Sequence, residues 1–169
     1  SGSAWSGFTS EYGSVVVANI ANLSSLMTAK NSDNGKVVAF GDRTYEYDVS
    51  KRNGLISQLE VFEKNAKNVG QSTEHGIWVF LAKAIKENIH VDNLFIYSDQ
   101  QAGHGGLYGD DKTIASKDKV KGKSRHIDVL AMVKEYRKKV NPKVNVFSIQ
   151  VALADNDKPI NFTQLPQAA

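Results

Sequence analysis

Polar side chains with oxygen donors stand at three places where predicted helices and strands begin or end. They lie in residues 1–3, before the first predicted helix, in residues 72–74, at the start of a later helix, and in residues 98–100, after an apolar strand. Hydroxyl and carboxylate oxygens suit Mg²⁺, which takes octahedral oxygen ligands near about 2.1 Å and keeps several waters. The sequence therefore favours a magnesium-type site at one edge of a sheet, built from serine and threonine hydroxyls and one aspartate.

Each of these residues also has an ordinary structural explanation. Ser72 or Thr73 is a good helix N-cap, because its hydroxyl can accept a hydrogen bond from a backbone amide of the first turn. Asp99 is better placed, since ligands of parallel sheets bind beyond the carboxyl ends of the strands. The capping explanation and the ligand explanation both stay open at this stage.

A second group of residues could contact the phosphates of RNA. Alternate basic residues in a segment rich in glycine and lysine can bind phosphates with little sequence preference. A further basic cluster follows on the next predicted helix, at residues 134–139. The alternative is a solvated face that keeps the protein soluble. The candidate RNA-binding residues are Lys117, Lys119, Lys121, Lys123 and Arg125.

Length and composition limit the classes of protein to consider. The chain has 169 residues, which predicts one domain, and a formal net charge of +3. It contains no cysteine, which excludes disulfides, thiolate metal sites and thiol nucleophiles and fits a cytoplasmic protein. No apolar run approaches the roughly 18 residues of a transmembrane helix, so we expect no membrane partner.

Hydrophobic periodicity predicts an α/β fold in which strands and helices alternate. A helix over 11–30 should bury Val16, Ile20, Leu23 and Met27, and a hairpin should follow at 36–49. The apolar run at 94–97 is typical of a strand buried on both faces of a parallel sheet. Further helices are predicted around 54–66, 77–85 and 125–140, a loop of about 20 residues after Asp99, and a last strand at 144–151.

Several stretches of this chain resemble the von Willebrand factor A domain of the TROVE (Ro autoantigen-like) RNA-binding proteins. Residues 1–3, with Thr73 and Asp99, resemble the metal-ion-dependent adhesion site of that domain type. The similarity runs from residue 1 to about 151. The other matching stretches are 36–41 (KVVAFG), 94–99 (LFIYSD), 100–106 (QQAGHGG) and 135–139 (EYRKK) running into 144–147 (VNVF).

The resemblance implies a Rossmann-type sandwich with a mostly parallel central sheet and helices on both faces. It also implies a single domain over 1–169 that lacks the family's first strand, together with the aspartate that stands two residues before Ser1. That strand is central in the family, between the strands near 36–40 and 94–98, and without it two apolar edges would be open to another chain. The metal ligands it implies are Ser1, Ser3, Thr73 and Asp99.

The function implied is metal-dependent binding within a ribonucleoprotein, not catalysis. The ion would be Mg²⁺ or Mn²⁺, a protein partner would supply a carboxylate to it, and a small noncoding RNA would bind through the parent protein. Two alternatives remain. Asp99 with His104 could serve a metal-dependent hydrolase, although no GxSxG elbow or GxxxxGK[ST] loop occurs. The chain could also be a plain protein-interaction domain with an empty metal site.

Overall fold

The computed structural model describes residues 17–41, 43–70, 76–98, 108–109, 115–121, 124–151 and 162–164. Helices and strands alternate along these residues, which confirms the predicted α/β class. The helices are α1 (Val17–Lys30), α2 (Leu55–Ala66), α3 (Gly76–Glu87) and α4 (Val129–Lys139), with a 3₁₀ turn at Lys67–Val69 after α2. The strands are β1 (Lys36–Phe40), β2 (Thr44–Asp48), β3 (Asn93–Ser98), β4 (Tyr108–Gly109), β5 (Ala115–Lys121), β6 (Ser124–Ile127), β7 (Asn145–Gln150) and β8 (Phe162–Gln164).

The described strands form three small sheets. In the first, β1 and β2 make the predicted antiparallel hairpin, in which Val37 pairs with Tyr47. In the second, β3 and β7 are parallel, Asn93 pairs with Asn145, and β8 adds to β7 antiparallel. In the third, β4, β6 and β5 are antiparallel. Among the described strands, only the β3–β7 pair is parallel. The described residues therefore do not by themselves form a single, mostly parallel sheet.

The larger core lies between the β3–β7 pair and helices α3 and α4. Met132 and Ala84 are fully buried in it, and Leu94 and Ile96 of β3 pack against it. The other face of β3 is different, because Phe95 is 38% exposed and stacks on Phe147 with ring centroids 4.8 Å apart. The prediction that this strand is buried on both faces is therefore wrong for the described part of the chain. An apolar run shows that a strand can be buried, but the elements packed on each face decide whether it is.

A second core joins α1, the β1–β2 hairpin and α2. Its centre is Phe62, which is 1% exposed and lies beside Tyr45 and Tyr47 with ring centroids 5.9 Å away in each case. Leu26 and Ala29 of α1 complete it.

The predicted inward face of α1 is wrong at Met27, which is 47% exposed. Ile20 and Leu23 are half-buried, and Val16 lies outside the described residues. The reason is a close approach of the helix to the turn before β1. A Cβ atom on Gly35 would lie 1.9 Å from the backbone oxygen of Ala29, so the side of the helix that carries alanine packs there. The described residues that α1 buries are Val17, Ala18, Leu26 and Ala29.

The segment predicted as a long loop contains the β4–β6–β5 sheet. Lys121 of β5 pairs antiparallel with Ser124 of β6. The following helix begins at Val129 rather than 125, because Asp128 accepts a hydrogen bond from the amide of Ala131 at 3.0 Å and caps it. Lysine-rich strands lack the apolar alternation by which strands are recognised, which explains the error.

The start of β3 is held to the end of α4 by a buried hydroxyl. Tyr136, 2% exposed, donates to the carbonyl of Ile89 and accepts from the amide of Val91, both at 2.8 Å. Asn141 donates to the carbonyl of Val91, also at 2.8 Å. Burial raises the pKa of the Tyr136 hydroxyl, which keeps it protonated and able to donate.

Replacing Tyr136 with phenylalanine should lower the free energy of unfolding by about 1–3 kcal/mol, because it leaves a partly buried amide and a partly buried carbonyl without this partner. Urea denaturation followed by circular dichroism measures this. Tyr45→Phe is the matched control, since within the described residues its hydroxyl makes no hydrogen bond; it should change stability by less than about 0.5 kcal/mol. Equal effects of the two substitutions would contradict the role given to Tyr136.

In the part of the chain that the structure describes, no helix combines the length and apolar character needed to cross a bilayer.

Candidate functional site

The four predicted metal ligands, Ser1, Ser3, Thr73 and Asp99, lie outside the described residues. His104, the partner of Asp99 in the hydrolase alternative, lies outside them as well. Within the described ranges, no three His, Cys, Asp or Glu side chains form a group that could hold a metal. The metal site therefore stays a prediction, and the structure bears on it through the elements that flank its residues.

Helix α3 and strand β3 are the elements nearest to Thr73 and Asp99. The helix begins at Gly76, three residues after Thr73, and the strand ends at Ser98, one residue before Asp99. A helix of 12 residues spans about 18 Å and a strand of six about 20 Å, so the two match in length. They pack in one core and are joined by residues 88–92, so they run antiparallel. Gly76 and Ser98 consequently lie toward the same end of this layer.

The predicted donor set fits a hard cation by its chemistry. Three hydroxyls and one carboxylate offer oxygen ligands with a single negative charge, and Mg²⁺ completes such a set with water. The aspartate that the adhesion-type site has two residues before Ser1 is not part of this sequence. The carboxylate of Asp99 is therefore the one charged ligand among the predicted four.

The described residues enclose a cleft of about 1200 Å³, which we name the central cleft. Strand β1 lines one side and strand β3 the other, while α1 lies along it. On the α1 side, the hydroxyls of Thr28 and Tyr97 share a hydrogen bond of 2.5 Å that ties this helix to β3. On the other side, α3 reaches β2 through an ion pair between Lys83 and Glu46.

That ion pair is the centre of a charged network at the edge of the central cleft. Glu46 accepts from Lys83 at 2.5 Å and from Lys36 at 3.2 Å, and Lys36 also lies 3.4 Å from Asp48. The Lys83 ammonium, with help from Lys36, holds the pKa of the Glu46 carboxyl below its usual value. Its hydrogen bond to Glu46 in turn raises the pKa of Lys36. Sequence reasoning missed this network because Lys83 and Glu46 are 37 positions apart.

The predicted RNA-binding residues belong to the small β4–β6–β5 sheet, with the exception of Lys123, which lies outside the described residues. Lys117, Lys119 and Lys121 are in β5, and Arg125 is in β6, where it pairs with Val120. The register shifts between Ala115 and Val120. The lysines are predicted in an irregular segment and Arg125 at the start of a helix, whereas the described ones share one antiparallel sheet.

The second basic cluster is explained in part by the helix that carries it. Arg137 donates to the carbonyl of Val144 at 3.1 Å, and Lys139 forms an ion pair with Glu135 one turn earlier. Cations in the last turn of a helix also interact favourably with its dipole. Lys134 and Lys138 are exposed and remain accessible to a polyanion.

Comparison with known proteins gives no relative for this chain: no family model, no curated protein and no solved structure matches it. The α/β class therefore rests on the described helices and strands and on the parallel β3–β7 pair. Function has to be argued from the residues of this chain.

Replacing Glu46 with glutamine should lower the free energy of unfolding by about 0.5–1 kcal/mol at pH 7 and low salt, since Lys83 loses its carboxylate partner and Lys36 keeps only Asp48. Because the pKa of Glu46 is lower in the folded state, its contribution is complete above the unfolded value near 4.5 and is lost as the pH falls through the folded value. The difference from the unmodified protein should therefore be smaller at pH 3 than at pH 7.

Urea denaturation at both pH values tests this prediction. Glu60→Gln is the control, because Glu60 is exposed on the outer side of α2 and makes no ion pair within the described residues. An E46Q effect that is the same at pH 7 and pH 3 would show that the ion pairs do not stabilise the fold.

Proposed function

We propose that this chain is a von Willebrand A-like binding domain of a cytoplasmic Ro-type ribonucleoprotein, in which a divalent cation supports binding. The cation is Mg²⁺ or Mn²⁺, and its ligands are Ser1, Ser3, Thr73 and Asp99. The observation that carries the proposal is the arrangement of α3 and β3. Gly76 and Ser98, which flank Thr73 and Asp99 in the sequence, lie toward the same end of one packed layer.

The residues of this chain would have distinct roles at the ion. Asp99 supplies the negative charge, directly or through a water, and the three hydroxyls orient the remaining oxygens around the cation. When bound, the metal acts as an electrostatic bridge to a carboxylate that a protein partner supplies. Such a site binds its partner and carries out no reaction, so we propose a binding domain rather than an enzyme.

RNA contact is the second part of the proposal. The support for it is the sheet formed by β4, β6 and β5, which gathers four of the five predicted basic residues into one small unit. A small noncoding RNA would bind through the parent protein, with Lys117, Lys119, Lys121, Lys123 and Arg125 contacting phosphates. Phosphate contacts of this kind position an RNA without reading its sequence.

Two other functions are kept as alternatives. A metal-dependent hydrolase would use Asp99 together with His104, and activity on a phosphoester that vanishes in Asp99→Ala would favour it. A plain protein-interaction domain with an empty metal site would bind its partner equally well with and without divalent cations. The central cleft supports this second alternative, because it offers a concave surface to a protein partner.

The metal proposal is tested by titrating Mn²⁺ into the protein and following binding by calorimetry and by the paramagnetic signal of the ion. We expect one saturable site, with affinity reduced about tenfold or more in Asp99→Ala, because the charged ligand is lost. Thr73→Ala should weaken binding less. Glu60→Ala removes an exposed carboxylate far from the predicted ligands in sequence and serves as the control. Equal binding by all four proteins would contradict the assigned ligands.

The RNA proposal is tested by the salt dependence of binding to a fluorescein-labelled single-stranded RNA of 20 nucleotides. Replacing Lys117, Lys119 and Lys121 with glutamine should weaken binding and reduce the slope of log K against log salt by about 2, at about 0.7 per lost phosphate contact. The matched control replaces Lys64, Lys86 and Lys143, which are exposed lysines elsewhere on the described surface. If the two triple variants lose the same affinity, net charge alone explains the binding.

A further inference from the structure

A lysine ammonium and a buried glutamine amide converge on one peptide carbonyl in the loop between β2 and α2, residues 49–54. Lys30 donates to the carbonyl of Asn53 at 2.6 Å, and Gln58 donates to the same oxygen at 3.1 Å. The next residue is Gly54. We propose that Asn53–Gly54 is a site of self-modification, at which these two donors promote ring closure of Asn53 onto the Gly54 amide with loss of ammonia. This modification is separate from the metal and RNA binding proposed above.

The reaction needs only the chain and water. The backbone nitrogen of Gly54 gives up its proton and attacks Cγ of the Asn53 side chain, which forms a new C–N bond. The bond from Cγ to the side-chain nitrogen breaks, and that nitrogen takes up a proton and leaves as ammonia. Water then opens the five-membered imide at one of its two carbonyls. The product is aspartate, or isoaspartate where the chain continues through the side chain, and no oxidant or reductant takes part.

Gly54 meets the requirements of the attacking group. It has no Cβ to shield its nitrogen, and both it and Asn53 are exposed. Among the described residues, no hydrogen bond is made by the backbone amide of Gly54 or by the side-chain amide of Asn53. The proton can therefore leave to water, and the asparagine side chain can turn toward the nitrogen.

The two donors act on the charge that this step creates. When the Gly54 nitrogen loses its proton, the negative charge is shared between that nitrogen and the carbonyl oxygen of Asn53. The Lys30 ammonium and the Gln58 amide already contact this oxygen, so they stabilise the anion without rearranging, as the donors of an oxyanion hole do. A hydrogen bond from a charged donor is the stronger kind, so Lys30 should contribute more than Gln58.

Both donors are held in place by other groups of the same loop. Gln58, which is 2% exposed, accepts from the amide of Ser50 at 2.8 Å and donates to the carbonyl of Ser50 at 2.9 Å. The Lys30 ammonium also donates to the carbonyls of Ser50 and Lys51, at 3.2 and 2.9 Å. In the part of the chain that the structure describes, this ammonium contacts carbonyl oxygens and no carboxylate. Its positive charge is therefore available to the anion at Asn53.

Helix α2 favours the product of the reaction. Its N-cap is Gly54, which makes no side-chain cap, and its first turn holds no acidic residue. A carboxylate at position 53 would lie beside the positive end of the helix dipole as well as near Lys30. The modification thus places a negative charge where both the helix and the lysine favour one.

A second asparagine–glycine pair, Asn34–Gly35, provides an internal control. Asn34 is exposed like Asn53, but no described residue donates to its carbonyl. The backbone oxygen of Ala29 packs against Gly35, which disfavours an anion there. Both pairs contain the same reacting groups, so their surroundings in the folded protein should make Asn53 the faster of the two. Unfolding should remove that difference.

The test follows both asparagines in the full 169-residue chain at neutral pH, once folded and once in concentrated urea. Mass spectrometry of proteolytic peptides measures conversion at positions 53 and 34, and fragmentation by electron transfer distinguishes aspartate from isoaspartate. We expect the ratio of the rate at Asn53 to the rate at Asn34 to be about tenfold higher in the folded protein than in urea, which corresponds to about 1.4 kcal/mol in the barrier. Isoaspartate should be present among the products at position 53.

A lysine variant tests the role of the ammonium. Lys30→Met removes the charge and keeps an unbranched apolar side chain, and it should lower the folded-state rate at Asn53 about tenfold while the rate at Asn34 is unchanged. Lys64→Met is the matched control, because it removes an exposed lysine in the last turn of α2. This control should react at both asparagines as the unmodified protein does.

A glycine variant tests the attacking group. Gly54→Ala fits the fold, because Gly54 has a φ of −59° and an added Cβ would come no closer than 3.4 Å to Oγ of Ser57. The methyl group shields the backbone nitrogen, so conversion of Asn53 should slow in the folded protein and in urea alike. Conversion of Asn34 should not change.

Four results would overturn the proposal. A K30M protein that converts Asn53 as fast as the unmodified protein, or faster, would show that Lys30 only holds the loop in place. A ratio of the two rates that is no higher in the folded protein than in urea would show that the folded surroundings promote nothing. Aspartate without isoaspartate would indicate direct attack by water, and a G54A protein that reacts at the original rate would exclude Gly54 as the attacking group. If K30M does not fold, the ratio of rates in the unmodified protein decides.

Discussion

The hydroxyl of Tyr136 fixes the position of strand β3 relative to helix α4 in the larger core. It binds the carbonyl of Ile89 and the amide of Val91, and so places the last residues before β3 against the end of α4. The next bond along the chain, from the amide of Asn145 to the carbonyl of Asp92, starts the parallel ladder of β3 and β7. A shift of this contact would change the register of the ladder and turn Leu94 and Ile96 away from the core, because a strand alternates its faces at every residue.

Polar contacts join the hairpin core to the larger core. The hairpin core is centred on Phe62 and the larger core on Met132. Glu46 connects them on one side through Lys83, and Tyr97 connects them on the other through Thr28. Polar links with defined partners fix an orientation without filling the space between the sheets. This arrangement explains how β1 and β3 can face the same cleft while each remains attached to its own sheet.

Much of the fold could be predicted from apolar patterning, and the exceptions have physical causes. The hairpin at 36–49, the helix at 54–66 and the strands around 94–97 and 144–151 carry strong local patterns, and the structure has them. The exposed side of Phe95 could not be predicted, because exposure depends on what packs on the second face. Strand β5 was missed because lysines occupy alternate positions in it, and β6 because Ile127 is the one aliphatic residue among its four. Ser1, Ser3, Thr73 and Asp99 stay predictions, since no local pattern shows that distant loops converge.

Each core is built from one continuous stretch of chain. The buried residues of the hairpin core lie between Leu26 and Ala66, and those of the larger core between Trp78 and Val146. During synthesis, the first stretch can therefore leave the ribosome and fold while the second is still being translated. Few of its contacts must wait for distant residues, so closing its loops costs little entropy. The order in which the ribosome releases the chain is thus also the order in which this protein can become structured.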